Sequence, residues 1–232
     1  MSLKSVYLPS PQIDNKQIRI SGEEHRHLMV SRTKPGEEIE VFDGTGNVWL
    51  AAVESTSKRE TVATVKAVRV VPPDVFQIRL GLALIRHAAF ELAVEKVVEL
   101  GVTRIAPFIA ARSNASPPRT LDRWKRIIVE ASKQSKRYRL PLIDEPVRFE
   151  RIVRINAASK ILFAERDGGS LKSALSGSPV AYLIGPEGGW TDSELTVARE
   201  QGWGLVSLGE GILKAETAAI AGAALIHHEL GK

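Results

Sequence analysis

The sequence predicts a two-part chain: a small β-barrel, then an α/β domain built around a parallel sheet. Three observations predict it. Residues 1–72 read as short strands with little helix. Pro72 and Pro73 then interrupt the pattern, because consecutive prolines cannot continue a strand ladder. Beyond them strands and helices alternate, the rhythm of a parallel sheet covered by helices. The expected domains are 1–72 and 73–232.

The elements follow in order. "KSVYLP" and "QIRI" are short β segments, and "SGEEHRHLMVSRT" is a short helix with Ser21 placed to cap it. "EIEVFDGTGNVWLAAVES" is two strands around the turn "DGTGN", and "ETVATVKAVRVV" adds an alternating strand. "IRLGLALI" is a continuous apolar run, as in a strand buried on both faces. "AAFELAVEKVVELG" has helical apolar spacing and stops at Gly101; "VTRIAPFIA" is the next strand. "TLDRWKRIIVEASKQSKRYR" is a long basic helix with Leu121, Trp124, Ile127, Ile128 and Ala131 as its apolar stripe. "KILFAE", "PVAYLIG" and "GLVSLG" are strands, "TDSELTVAREQG" opens with a capping box of Thr191 and Glu194, and "AETAAIAGAALIHHEL" is the last helix.

Composition narrows the class. Among 232 residues, 44% are apolar, cysteine is absent, and no run of 18 apolar residues spans a membrane. "MSLKSVYLPSPQ" carries no apolar signal core, so a cytoplasmic protein is expected. Net charge is +5, yet residues 119–154 alone hold eleven Lys/Arg against five Asp/Glu, or +6. That stretch suggests a phosphate-bearing partner; a solvated helix face is the plain alternative. His25 and His27 lie two apart and His227 and His228 are adjacent, so neither pair spaces ligands for a metal, and none is expected. Trp190 and Trp203 read as packing residues.

Two glycine turns, "LIGPEGGW" and "SLGEGILKAETAA", sit where a strand ends and a helix begins, which is where open α/β sheets bind ligands. Neither ends in Gly-Lys-Ser/Thr, and neither holds a full G-x-G-x-x-G, which argues against a nucleotide-cofactor oxidoreductase. Glu187 in the first turn opposes a polyanion, so a neutral or cationic ligand gripped by backbone is favoured. The plain alternative is two tight turns that only reverse the chain.

"IGPEGGWTDSEL" followed by "GLVSLGEGILKAETAAIAGAAL" resembles the SPOUT class of methyltransferases. More narrowly it is similar to the family that methylates N3 of a uridine in bacterial 16S ribosomal RNA (RsmE). "EEHRHLMVSRTKPGEEIEVFDGTG", "EKVVELGVTRIAPFIAARS" and "RWKRIIVEASKQSKRYRLPLI" agree with that family in the same order, so the resemblance covers nearly the whole chain. It implies a PUA-like β-barrel RNA-binding domain, then a knotted (trefoil) α/β domain, an exception to unthreaded chains. It also implies S-adenosylmethionine as methyl donor, a homodimer, and the small ribosomal subunit as partner. The chain departs from the family's "LGPRILRTETA" at Glu210–Gly211 and Lys214–Ala215, and from its "VLR" at Ser31. Lysine at 214 keeps a charge but loses the planar fork.

The resemblance implies site residues. Leu183, Ile184, Gly185, Pro186, Glu187, Gly188 and Gly189 of the first turn would hold the donor with Ser207, Leu208, Gly209, Ile212, Leu213 and Lys214 of the second. Thr217 and Ala218 would line its methionine end, and Glu165 would complete the pocket. Arg137 and Arg112 are the catalytic candidates, as cations that favour a deprotonated imide. His27, Arg32, Arg123, Arg126, Lys133, Lys136 and Arg139 are the expected RNA contacts. Glu216 reads as a helix-start residue. The alternative function is a non-catalytic RNA-binding or ribosome-assembly protein of the same fold.

Overall fold

The computed structural model describes residues 3–165 and 168–231. The chain forms two compact units. One holds Met1–Pro73 together with Ser132–Leu140; the other holds Asp74–Ala131 and Pro141–Lys232.

The first unit is built on six strands: β1 (Lys4–Tyr7), β2 (Ile13–Asp14), β3 (Gln17–Ser21), β4 (Glu38–Phe42), β5 (Asn47–Thr56) and β6 (Glu60–Val70). Their order is β1-β4-β5-β6-β3-β2; β1 runs parallel to β4 and the other pairs are antiparallel. Alternation puts Ile18 and Ile20 of β3, Ile39 and Val41 of β4, and Ala51 and Val53 of β5 into one core with Leu28. Two register shifts between β5 and β6 bend the sheet. The Asp43 carboxylate closes the predicted turn by accepting from Thr45 and Asn47. Helix α1 (Gly22–Val30) follows β3, but Ser21 gives it no side-chain cap, for Ser21 is still paired with Glu60 in the ladder.

The basic helix is shorter than expected. As α3 (Asp122–Ser135) it ends before Lys136, which takes a left-handed backbone at φ 57°. Residues 132–140 belong to the first unit, which corrects the expected division at 72 and 73. The cause is a set of internal partners. Lys133 is 7% exposed and pairs with Glu24 at 3.0 Å. The Lys136 ammonium donates to the Leu3 carbonyl, to Ser5 Oγ at 2.9 Å and to Glu40 Oε2 at 2.9 Å. Tyr138 donates to the same Glu40 oxygen at 2.6 Å and meets Phe42 edge-on. Arg139 Nε donates to the Val71 carbonyl at 2.9 Å. Lys133, Lys136 and Arg139, expected as RNA contacts, are therefore internal ties of this unit.

Glu40 takes donors from Arg69, Lys136 and Tyr138. Burial works to raise its pKa, but the hydrogen bonds from Tyr138 and Lys136 outweigh it, and the carboxyl lies below its ordinary value. A depressed folded value gives stability that is complete above the unfolded carboxylate value, near pH 4, and that is lost as pH falls through the folded one. The resistance of this unit to urea is expected to weaken as pH drops below about 4, and Glu40→Gln should flatten that dependence. An equally steep acid loss in Glu40→Gln would show that other carboxylates carry it.

The second unit holds β7 (Ile78–Ala83), α2 (His87–Glu99), β8 (Arg104–Ile109), the first part of α3, β9 (Leu142–Ile143), β10 (Val147–Arg148), α4 (Phe149–Ile152), β11 (Ser159–Phe163), α5 (Leu171–Ala174), β12 (Val180–Ile184), α6 (Asp192–Glu200), β13 (Gly204–Val206) and α7 (Ala215–Leu230). The sheet order is β10-β8-β7-β12-β11-β13, with β9 beside β8, and every pair is parallel. β12 lies inside the sheet and is buried along its whole length. Trp124 of α3 stacks on Phe90 of α2 at 4.4 Å, and Leu121, Ile128 and Ala131 are buried with it, the stripe read from the sequence. Among the described residues no helix is long and apolar enough to cross a membrane.

Candidate functional site

The site forms where the parallel strands end. β12 stops at Ile184 and the chain turns through Gly185–Trp190. Trp190 folds back beneath the turn. Its indole N–H donates to the Phe163 carbonyl at 2.9 Å, and its ring lies nearly parallel to Phe108 at 5.9 Å and tilted against Phe149 at 5.7 Å. A side chain at Gly185 would start 2.8 Å from that ring, so glycine is required by close approach. Thr191 then caps α6 in the expected capping box with Glu194.

Three loops converge on this turn. Arg86, just before α2, donates its backbone N–H to Glu187 Oε1 at 3.2 Å and holds its Nε 3.6 Å from the same oxygen. Arg112, beyond the end of β8, donates Nη1 to the carbonyls of Gly188 at 3.0 Å and Trp190 at 3.3 Å. The second glycine turn follows β13, where Ser207 Oγ donates to the Gly209 carbonyl at 2.9 Å. Together they enclose a cavity of about 760 Å³, within the range of small-molecule sites.

The cavity gathers most of the expected donor residues: Glu165, Ile184–Gly189, Ser207–Gly209, Ile212–Lys214 and Ala218. Two are corrected. Leu183 is 0% exposed, with its side chain packed over Gly81 inside the sheet. Thr217 is exposed on α7 while Ala215 and Ala218, three apart on one face, line the cavity. Arg112 lines it; Arg137 lies in the first unit and is not among its lining residues. His27, Arg32 and Arg126 are exposed. Arg123 is exposed too, but it forks onto Glu91, whose carboxyl that hydrogen bond holds below its ordinary value.

Sequence reasoning missed Arg86, Phe163, Ala164, Asp192, Leu195, Gly211 and Ala215 as lining residues. Arg86 carried the signal that singled out Arg112, a cation just past the end of a buried strand. Trp190 packs, as read, and also floors the cavity. Trp203 only packs, at 3% exposure, with its N–H on the Val153 carbonyl.

Backbone forms part of the walls. A Cβ at Gly189 (φ 70°) or Gly209 (φ 131°) would meet nothing within 4 Å, so both turns show bare peptide to open space. Arg86, Arg112 and Lys214 are matched by Glu165, Glu187 and Asp192. Such a lining suits a ligand that carries a cation and no phosphate. Among the described residues no group of three or more His, Cys, Asp or Glu is placed to hold a metal ion.

Fold and site define an RNA methyltransferase of the SPOUT class with a PUA-like unit: the RNA methyltransferase domain matches residues 72–227, and the RNA methyltransferase PUA domain matches residues 20–66. A ribosomal RNA small subunit methyltransferase E of Synechocystis is 31% identical over 229 residues, covering 94% of this chain and 75% of that one. The crystal structure of a protein of that name from Neisseria gonorrhoeae, bound to S-adenosyl methionine, is similar at a TM-score of 0.91 and 28% identity over 98% of both chains. A protein from Legionella pneumophila in complex with the same cofactor gives 0.91 at 26% identity, again over 98% of both chains. The chain belongs to the ribosomal RNA small subunit methyltransferase E family.

Proposed function

We propose that the protein is an S-adenosylmethionine-dependent methyltransferase acting on N3 of a uridine in 16S ribosomal RNA of the small subunit. The observation that carries this reading is the cavity between the two glycine turns, with open peptide at Gly189 and Gly209 and its balanced charges. When bound there, S-adenosylmethionine supplies an activated methyl group on a sulfonium. The peptide groups of residues 184–189 and 207–213 would hold it without repelling that charge. Trp190 forms the floor, fixed by its hydrogen bond to the Phe163 carbonyl. N3 of uridine is a weak acid; once its proton has passed to solvent, the N3–CH3 bond would form as the C–S bond of the donor breaks, and the neutral thioether would leave. Arg112, at the cavity wall, favours the imide anion. Arg137 supplies a second cation to the RNA. The chain acts in the cytoplasm as a homodimer with a threaded α/β unit.

Calorimetric titration tests the cofactor: saturable binding of S-adenosylmethionine and none of NADH is expected. Loss of that pattern would remove the reading. Transfer of labelled methyl to small subunits tests the activity; RNA binding without transfer would mean a non-catalytic protein of the same fold. Light scattering at the 25.4 kDa of one chain would contradict the dimer.

The exposed cations, rather than the internal ones, meet phosphate. Arg126→Glu is expected to weaken RNA binding uniformly and to reduce the slope of log affinity against log salt by about one or more. Lys136→Gln should instead lower the stability of the first unit, read by urea unfolding.

A further inference from the structure

We propose that Glu194 is a positioning residue for methyl transfer, acting through Arg112; the proposal rests on the function given above. Glu194 is only 6% exposed, and a carboxylate that deep must be satisfied by donors. A capping box occupies one of its oxygens: Oε2 accepts from Thr191 N and Thr191 Oγ1, both at 2.9 Å. The other oxygen does something a helix cap does not require. Oε1 accepts the Ala111 backbone N–H at 2.9 Å, from the loop beyond β8.

Ala111 immediately precedes Arg112. The same loop is pinned on its other side, where Ser113 Oγ accepts from Ala110 N at 3.1 Å. The two bonds fix the backbone on which Arg112 stands. Arg112 lies along the first glycine turn: a Cβ on Gly188 would stand 3.0 Å from Arg112 Cβ, and Nη1 is bound to the Gly188 and Trp190 carbonyls. Among the described residues no protein acceptor takes the other guanidinium hydrogens, and the side chain lines the cavity. Glu194 thus joins two loops into one frame, and the frame presents the free part of the guanidinium to an anionic substrate group. Removing the bond to Ala111 leaves α6 in place and releases the loop that carries Arg112.

Glu194→Gln tests this. An amide has one accepting oxygen, so it can satisfy Thr191 or Ala111 but not both. With small subunits as acceptor, kcat is expected to fall about tenfold, the scale of one hydrogen bond to a charged group, while KM for S-adenosylmethionine stays within about twofold. Adding Arg112→Ala to Glu194→Gln should cost no more than Arg112→Ala alone, since both act through one group. Glu194→Asp, whose shorter reach also breaks one of the two links, is the second variant if the glutamine form does not fold. Ala198→Gly weakens the same helix without touching either bond, and its kcat should match the native enzyme. Additive losses in the double variant, or an equal kcat loss in Ala198→Gly, would overturn the proposal.

A readout independent of turnover keeps the two readings apart. Phenylglyoxal should modify Arg112 several-fold faster in Glu194→Gln than in the native chain, by peptide mass spectrometry, and no faster in Ala198→Gly. An unchanged rate in Glu194→Gln sinks the positioning role. A native chain that transfers no methyl group sinks the proposed function instead, and the modification rates still decide whether Glu194 holds Arg112.

Discussion

Trp190→Ala is expected to destabilise the second unit by about 3–5 kcal/mol, read from its transition in a urea titration. The ring fills space bounded by Phe108, Phe149 and Gly185, so its removal leaves a cavity under the first glycine turn. It also strips the Phe163 carbonyl of its donor. Trp190→Phe keeps an aromatic ring and loses the N–H, so it should cost clearly less. Equal costs for the two variants would mean that the hydrogen bond, rather than the packing, dominates. Because Trp190 lies directly beneath Gly185, the alanine variant should also lose affinity for S-adenosylmethionine in proportion to the slack it introduces.

Arg112→Ala is expected to lower kcat about a hundredfold, the scale of one removed electrostatic donor at a developing anion. The cofactor dissociation constant should change by no more than about twofold, since Arg112 binds the turn through backbone carbonyls alone and, in the function proposed above, its remaining hydrogens serve the substrate. The alkaline shift of the pH–rate profile is the sharper sign: without the cation, the imide loses its proton at higher pH. Arg112→Lys keeps the charge without the fork and should recover part of the rate. A normal pH profile in Arg112→Ala would leave the arginine with no share in the chemistry.

Much of this was legible in the sequence, for identifiable reasons. Alternation exposed the strands of the first unit, because one face of each is apolar and the other is wet. The glycine turns announced the cavity, because only glycine permits bare peptide and close approach there. That Leu183 lies outside the lining was not legible, because a strand buried on both faces is apolar throughout and does not reveal which residue ends inside the sheet. Thr217 needed the rotation of α7 about its axis, which spacing alone does not supply. β9, β10, α4 and α5 span two to four residues each, too few for any period to register. Lys133, Lys136 and Arg139 were hidden for a different reason. Their partners Glu24, Glu40 and Val71 lie roughly seventy to a hundred and ten residues away along the chain, and a local charge count sees only the cations.

Residues 132–140 also bear on how the polypeptide is made. Tyr138 packs on Phe42, and the Gly46 N–H bonds to the Tyr138 carbonyl. The amino-terminal unit is therefore unfinished when Pro73 leaves the ribosome. It waits for a segment synthesised some sixty residues later, so the usual order in which an amino-terminal domain closes first does not apply. Until then an apolar ring and the Glu40 carboxylate stand without their covers. A nascent chain halted before residue 132 would expose both, while one released after residue 140 could complete the amino-terminal unit before α7 exists.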